Sequence, residues 1–306
     1  MHQFLCNFDT QNLGNMIHLN LIQKYSFFLF LIGTLALNCA GPRQRLKQKT
    51  QNIDFLIKQG NSYWEQRADT LALKKAEHFI RLAFNENKQD FELAILYSKI
   101  LYTRALFLET DNNVQSELFF QASQICREAI FNHSEFEIIY KESQGDSTFK
   151  ILSSLAEAPR SLIPGLFWWT TNLGRYLNSQ PVIERLNQRE LVEVMMHRIL
   201  SLDPGFYYSG PYRFFGSLYT RIPGVELSQS KTYFLQALSS NPDYLGNAVH
   251  MAEFYHQKAG NREQFHSMLL DVIDTDLTGN PELMAENLYY KERAKLLLKM
   301  ESSLFE

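Results

Sequence analysis

From Asn52 to the C-terminus apolar residues recur at three- and four-residue spacing, with no two-residue alternation bounded by turn residues. That periodicity restricts the chain to an all-α fold. Helices are predicted over Ile53–Gln66, Leu71–Asn85, Lys88–Leu108, Asn113–Phe131, Ser134–Glu142, Ser147–Ala156 and Ile163–Leu177. The series continues with Val182–Leu202, Pro211–Thr220, Leu227–Ser239, Asp243–Ala259, Arg262–Thr275 and Pro281–Leu298.

Several of these segments end alike. Phe234, Ala237 and Pro242 carry an aromatic, a small residue three later and a proline five after that, the spacing of the second helix of a tetratricopeptide (TPR) repeat. Met196 to Pro204 keeps the same frame, and Ala76–Ala83 and Ala122–Ala129 are weaker echoes. The copies lie further apart than the usual period of about 34 residues. The expectation is degenerate TPR-like helical repeats forming a superhelical array with a central pore or cavity.

The N-terminus reads differently. Lys24 precedes the apolar run Phe27–Leu37, which is short for a membrane span and suits a signal-peptide core. Asn38 and Cys39 follow, and the cysteine placed there looks like the lipobox of a bacterial lipoprotein. Residues 1–38 are therefore expected to be a signal peptide, with Met16 an alternative start, and Cys39 the lipidation site. Residues 39–51, with Arg43, Arg45, Lys47 and Lys49, read either as a tether or as first helical turns. Residues 52–306 form a single all-α domain. Periplasmic localisation follows, with membrane attachment through the lipid alone.

Cleavage before Cys39 removes one Lys and one Asp and leaves the net charge at -3. Without a polybasic surface, nucleic acid is a poor partner. Cys126 is left without a cysteine to pair with once Cys39 is acylated, so a hydrophobic core rather than a disulfide framework must stabilise the domain. No phosphate-binding glycine loop, Gly-x-Ser-x-Gly elbow or His-Glu-x-x-His occurs. No enzymatic activity, cofactor or metal is expected. The nearest metal-like set, His250, Glu253, His256 and His266, steps round the helix instead of sharing a face.

Two aromatic stretches carry the candidate site. Between the repeats lies Leu166–Tyr176, in which Trp168, Asn172 and Arg175 share one helical face and Trp169, Leu173 and Tyr176 its neighbour. The second stretch, Gly205–Gly224, holds seven aromatic residues in twenty. Ser209 or Gly210 as N-cap and Pro211 as first residue would start a helix there. Arg213 would then stand beside unpaired backbone N–H groups, favouring a carboxylate walled by Tyr207, Tyr208, Tyr212 and Phe214. The competing reading is a capped core helix with aromatic packing. On the ligand reading the two stretches face each other across one cavity, and Arg213→Ala weakens a carboxylate ligand without unfolding the chain.

Taken together, the lipobox-like start, the degenerate helix pairs, Trp168-Trp-Thr-Thr-Asn-Leu-Gly-Arg175, Ser209-Gly-Pro-Tyr-Arg-Phe-Phe-Gly216 and Tyr233-Phe-Leu-Gln-Ala-Leu238 resemble the TatT component family of tripartite ATP-independent periplasmic (TRAP) transporters. The likeness is strongest over residues 163–263. It implies a periplasmic lipoprotein, with a homotrimer among its expected states, that associates with the transporter's solute-binding protein. It also implies an internal pore suited to a small organic acid or hydrophobic ligand. The alternative is a TPR-like scaffold lipoprotein for envelope assembly that needs no small molecule.

Overall fold

The computed structural model describes residues 42–306, with side chains from residue 47 onward; the expected signal peptide and Cys39 lie outside the described residues. Side-chain oxygens set the helix starts. Asp69, Asp90, Asp111 and Asp146 each accept a backbone N–H of the first turn, opening α2 (Thr70–Glu86), α3 (Phe91–Phe107), α4 (Asn112–Phe131) and α6 (Ser147–Ala156). Before them runs α1 (Pro42–Trp64), so residues 42–51 are helical. Its residues up to Asp54 fall in a first unit, and residues 55–306 form a second.

Within the second unit α5 (Ser134–Glu142) sits between α4 and α6, and a 3-10 turn, Arg160–Leu162, leads into α7 (Ile163–Leu177). After α7 come α8 (Val182–Asn187), α9 (Arg189–Leu202), α10 (Phe206–Tyr219), α11 (Leu227–Ser240) and α12 (Gly246–His250). The last continues as a π-helical turn, Met251–His256. Next are α13 (Arg262–Asp274), a 3-10 turn Pro281–Leu283, α14 (Met284–Lys299) and α15 (Glu301–Leu304). Among the described residues there is no strand, and no helix is long and apolar enough to cross a membrane.

Chain neighbours supply much of the packing: α2 on α3, α3 on α4, α10 on α11 and α13 on α14, with α7 laid against α4. Met196, Ile199, Phe234 and Ala237, which carry the expected repeat frame, are all fully buried. Two contacts join the early helices to the last long one. Arg67 donates to both carboxylate oxygens of Glu286 (2.8 and 2.9 Å), and Phe107 stacks on Tyr289 with ring centres 5.1 Å apart.

Several predicted helices differ from those observed; Ile53–Gln66, for one, runs from Pro42 to Trp64. Val182–Leu202 breaks at Gln188 because α8 buries none of its residues, so nothing holds it in line with α9. Asp243–Ala259 starts later and widens into the π turn after His250. Pro211–Thr220 starts earlier, at Phe206, with Tyr207, Tyr208 and Ser209 in a left-handed turn.

Candidate functional site

Where α7 and α10 face each other, a ring of each packs on a glycine of the other. A Cβ on Gly210 would lie 2.6 Å from Cζ of Phe167, and one on Gly174 would lie 3.1 Å from Cε2 of Phe214. Beside that contact lies a cavity of about 110 Å³, the scale of the ~150 Å³ apolar cavity that takes a benzene ring. Helix α7 contributes Phe167, Trp168, Thr171, Gly174 and Arg175, and α10 contributes Tyr207, Arg213 and Phe214. Tyr102 of α3 and His250 and Phe254 of the α12 region complete the wall, and exposed Asn178 and Arg221 form its rim.

Of the residues expected at a ligand site, Trp168, Arg175, Tyr207, Arg213 and Phe214 line this cavity. Asn172, Tyr208 and Tyr212 stand outside its wall. At about 100° per residue, Thr171 and Arg175 lie to one side of Trp168, whereas Asn172 is turned about 40° to the other. Asn172 faces α3 instead: its Nδ2 donates to the Trp168 carbonyl (2.7 Å) and to Ser98 Oγ (3.2 Å). Tyr208 stacks on Tyr244 at 4.9 Å, and Tyr212 pairs with Tyr233 at 6.3 Å. The neighbouring α7 face packs on α4, with Trp169 against Phe131 and Tyr176 against Phe120.

The start of α10 departs from the expected capped helix. Tyr207, Tyr208 and Ser209 have φ of 46°, 57° and 62°, and each such non-glycine residue costs on the order of 1–2 kcal/mol. Ser209 caps nothing and accepts from Asn241 Nδ2 at 2.6 Å. Arg213 holds the strained turn. Its Nη1 donates to the Tyr208 carbonyl (3.0 Å) and to Asn247 Oδ1 (2.7 Å), its Nη2 to the Tyr207 carbonyl (3.4 Å), and the guanidinium lies 4.6 Å from the Tyr244 ring. Arg213 lines the cavity as expected, but it does not stand free there: most of its donor capacity serves the turn.

Arg175 is the opposite case. It lies deep in the protein yet keeps accessible surface, as a cavity wall residue does. Its polar contacts are long, 3.5 Å to Tyr102 Oη and 3.4 Å to His250 Nε2, both from Nη2. Arg221 spends one nitrogen on Asn178 Oδ1 and lies 4.8 Å from the Phe254 ring. Three guanidiniums therefore border one small space whose lining holds no carboxylate. The nearby Glu253 is paired with Arg293. Buried positive charge without a counter-charge is costly.

His250 sits among the same charges, its exposure only 9%. Burial first, then Arg175, Arg213, Arg293 and Arg221, hold its imidazolium well below the usual histidine range. Its Nδ1 has no hydrogen-bond partner. The other groups of the metal-like set point elsewhere, with His266 2.6 Å from Glu301. Cys126 is fully buried, and burial pushes its thiol up to about 12, so it is unreactive.

Among the wall residues that were not expected ligand contacts are Tyr102, Arg221, His250 and Phe254. Arg221 had a legible signal: Phe214, Ser217, Leu218 and Arg221 step at i, i+3, i+4 and i+7, which is one helical face. Tyr102, His250 and Phe254 come from distant helices and had none.

No curated protein matches the chain. The family model described as TRAP transporter T-component matches residues 109–305, a span that includes α4 to α14 and every cavity residue except Tyr102. The chain belongs to the TRAP transporter T-component (TatT) family.

Proposed function

We propose that the protein is a periplasmic lipoprotein accessory component of a TRAP-type transporter that associates with the transporter's solute-binding protein. Its cavity holds a small organic anion, a carboxylate on an apolar body. The observation that carries the ligand half is the cavity wall: Arg175, Arg213 and Arg221 with no carboxylate, beside the rings of Trp168, Tyr207, Phe214 and Phe254. The rings supply apolar contact, Arg175 orients a head group, and the other two guanidiniums add positive charge. Family membership supports the transporter half, since a T-component works with other TRAP proteins. A TPR-like superhelical arrangement with a pore, lipid attachment at Cys39 and a homotrimer belong to the same proposal. So does a non-enzymatic role.

Native mass spectrometry of the mature protein, mixed with its cognate solute-binding protein and small molecules extracted from the envelope, tests it. A protein complex together with a bound mass that survives buffer exchange is the expected result. A complex without any bound small molecule would move the assignment to a scaffold lipoprotein, and absence of a complex would remove the transporter role.

A further inference from the structure

His250 has no place in a purely arginine-based anion site, yet it occupies that site's inner wall. Its surroundings set its chemistry. A guanidinium can only donate, so Arg175 Nη2, 3.4 Å from Nε2, requires the Nε2 lone pair and leaves the ring proton on Nδ1. That Nδ1 is buried without a partner. Every charged group facing the ring is positive or already spent. Arg175 comes from α7, Arg213 from α10, Arg221 from just beyond it, and Arg293 from α14. The one acid close by, Glu253 on the ring's own helical run, is paired with Arg293. Tyr290 of α14 and Phe254 meet the imidazole edge-on, with ring centres 5.6 and 5.3 Å away. The π turn starting at Met251 follows the ring directly, and such turns are frequent at functional sites.

An anion arriving at Arg175 changes each of these conditions at once. It draws the guanidinium's donors to itself, frees Nε2, and offsets the positive field that keeps the ring neutral. Resting on the carboxylate reading of the cavity, we propose that His250 is a head-group residue of this site and that an anion enters together with one proton, taken up from solvent by the imidazole. The imidazolium and Arg175 then both donate to the same carboxylate. The linkage sign follows. Burial and the arginines hold the free-state histidine well below its ordinary value, and the bound anion raises it back towards that value. Binding is tightest below that value and weakens as pH rises through it.

The test is calorimetric titration of the mature protein with benzoate between pH 5.5 and 7.5, in pairs of buffers that differ in ionisation enthalpy. Benzoate stays ionised throughout, so any proton uptake belongs to the protein. The expected result is an affinity about tenfold higher at pH 5.5 than at 7.5, one decade for one unit of proton linkage. Uptake should approach one proton per benzoate at the acid end. His250→Gln, which keeps an acceptor for Arg175, should bind benzoate at every pH about as weakly as the parent does at pH 7.5, losing both the pH dependence and the uptake. Benzoate binding with no proton uptake, or uptake that survives in His250→Gln, would overturn the inference while leaving the carboxylate site intact. No benzoate binding at any pH would overturn both.

Discussion

Arg213 and Arg175 are the same residue type on facing helices of one cavity, and their partners give them different work. Arg213 is consumed by carbonyls: those of Tyr207 and Tyr208 and the Asn247 side chain. Truncating it leaves these acceptors buried and a left-handed turn unsupported. Since an unsatisfied buried group costs about 1–3 kcal/mol, Arg213→Ala should lower the stability of the folded protein by roughly 2–4 kcal/mol, read as a fall in the denaturation midpoint. An unchanged midpoint would mean that the turn holds itself. Among the described residues Arg175 makes only two long polar contacts, to Tyr102 and His250, and on the proposed function it is the guanidinium that meets the ligand. The sequence placed both residues in one candidate site but could not separate their roles, because periodicity fixes which face a side chain leaves from and says nothing of what it meets. The 40° that removes Asn172 from the cavity is likewise invisible until α3 and α4 are known to lie on that side of α7.

At the level of the helices, local chemistry was legible wherever a local rule decides the outcome. Aspartates preceding apolar periodic runs cap α2, α3, α4 and α6, a local signal present in the sequence although the expected helix Lys88–Leu108 ran past Asp90. Ser134–Glu142, Ser147–Ala156 and Ile163–Leu177 are helices at the bounds the sequence predicts. The rule failed at Tyr207–Ser209, where tertiary contacts override it. Tyr207 is locked against Trp168 at 4.8 Å and Tyr208 against Tyr244, so the backbone is left-handed where a proline-led cap was expected. Where α7 meets α10, rings pack on small residues. Gly210→Ala would place a methyl group 2.6 Å from the Phe167 ring. The ring cannot retreat freely, because it also meets Trp168 and Phe206. A loss of about 1–3 kcal/mol is expected for such overpacking, measured by chemical denaturation, together with weaker ligand binding as the cavity is pushed out of shape. A variant as stable as the parent would show that the helices have room to part.

Across the whole chain, the cavity is assembled from parts far apart in sequence. Tyr102 comes from an early helix, Trp168 and Arg175 from α7, Tyr207 to Arg221 from the aromatic stretch and its end, His250 from the end of α12 and Phe254 from the π turn. Ion pairing of Arg67 with Glu286 and stacking of Phe107 on Tyr289 bring the first helices of the 55–306 unit to its last long one. Such a site shows in sequence only as separate aromatic and basic fragments, and its absence of carboxylates shows only once the wall is closed. That absence makes the sharpest demand on function, because three guanidiniums around a small space should distinguish charge more strongly than shape. Comparing the affinities of benzoate and benzamide, which share a ring and a planar head group, measures this directly. With a hydrogen bond to a charged partner worth about 1.5–3 kcal/mol, benzoate should bind at least about tenfold more tightly, and Arg175→Gln should sharply reduce the difference. Equal affinities in the parent protein, or a preference for benzoate that Arg175→Gln leaves untouched, would contradict a carboxylate-selective cavity.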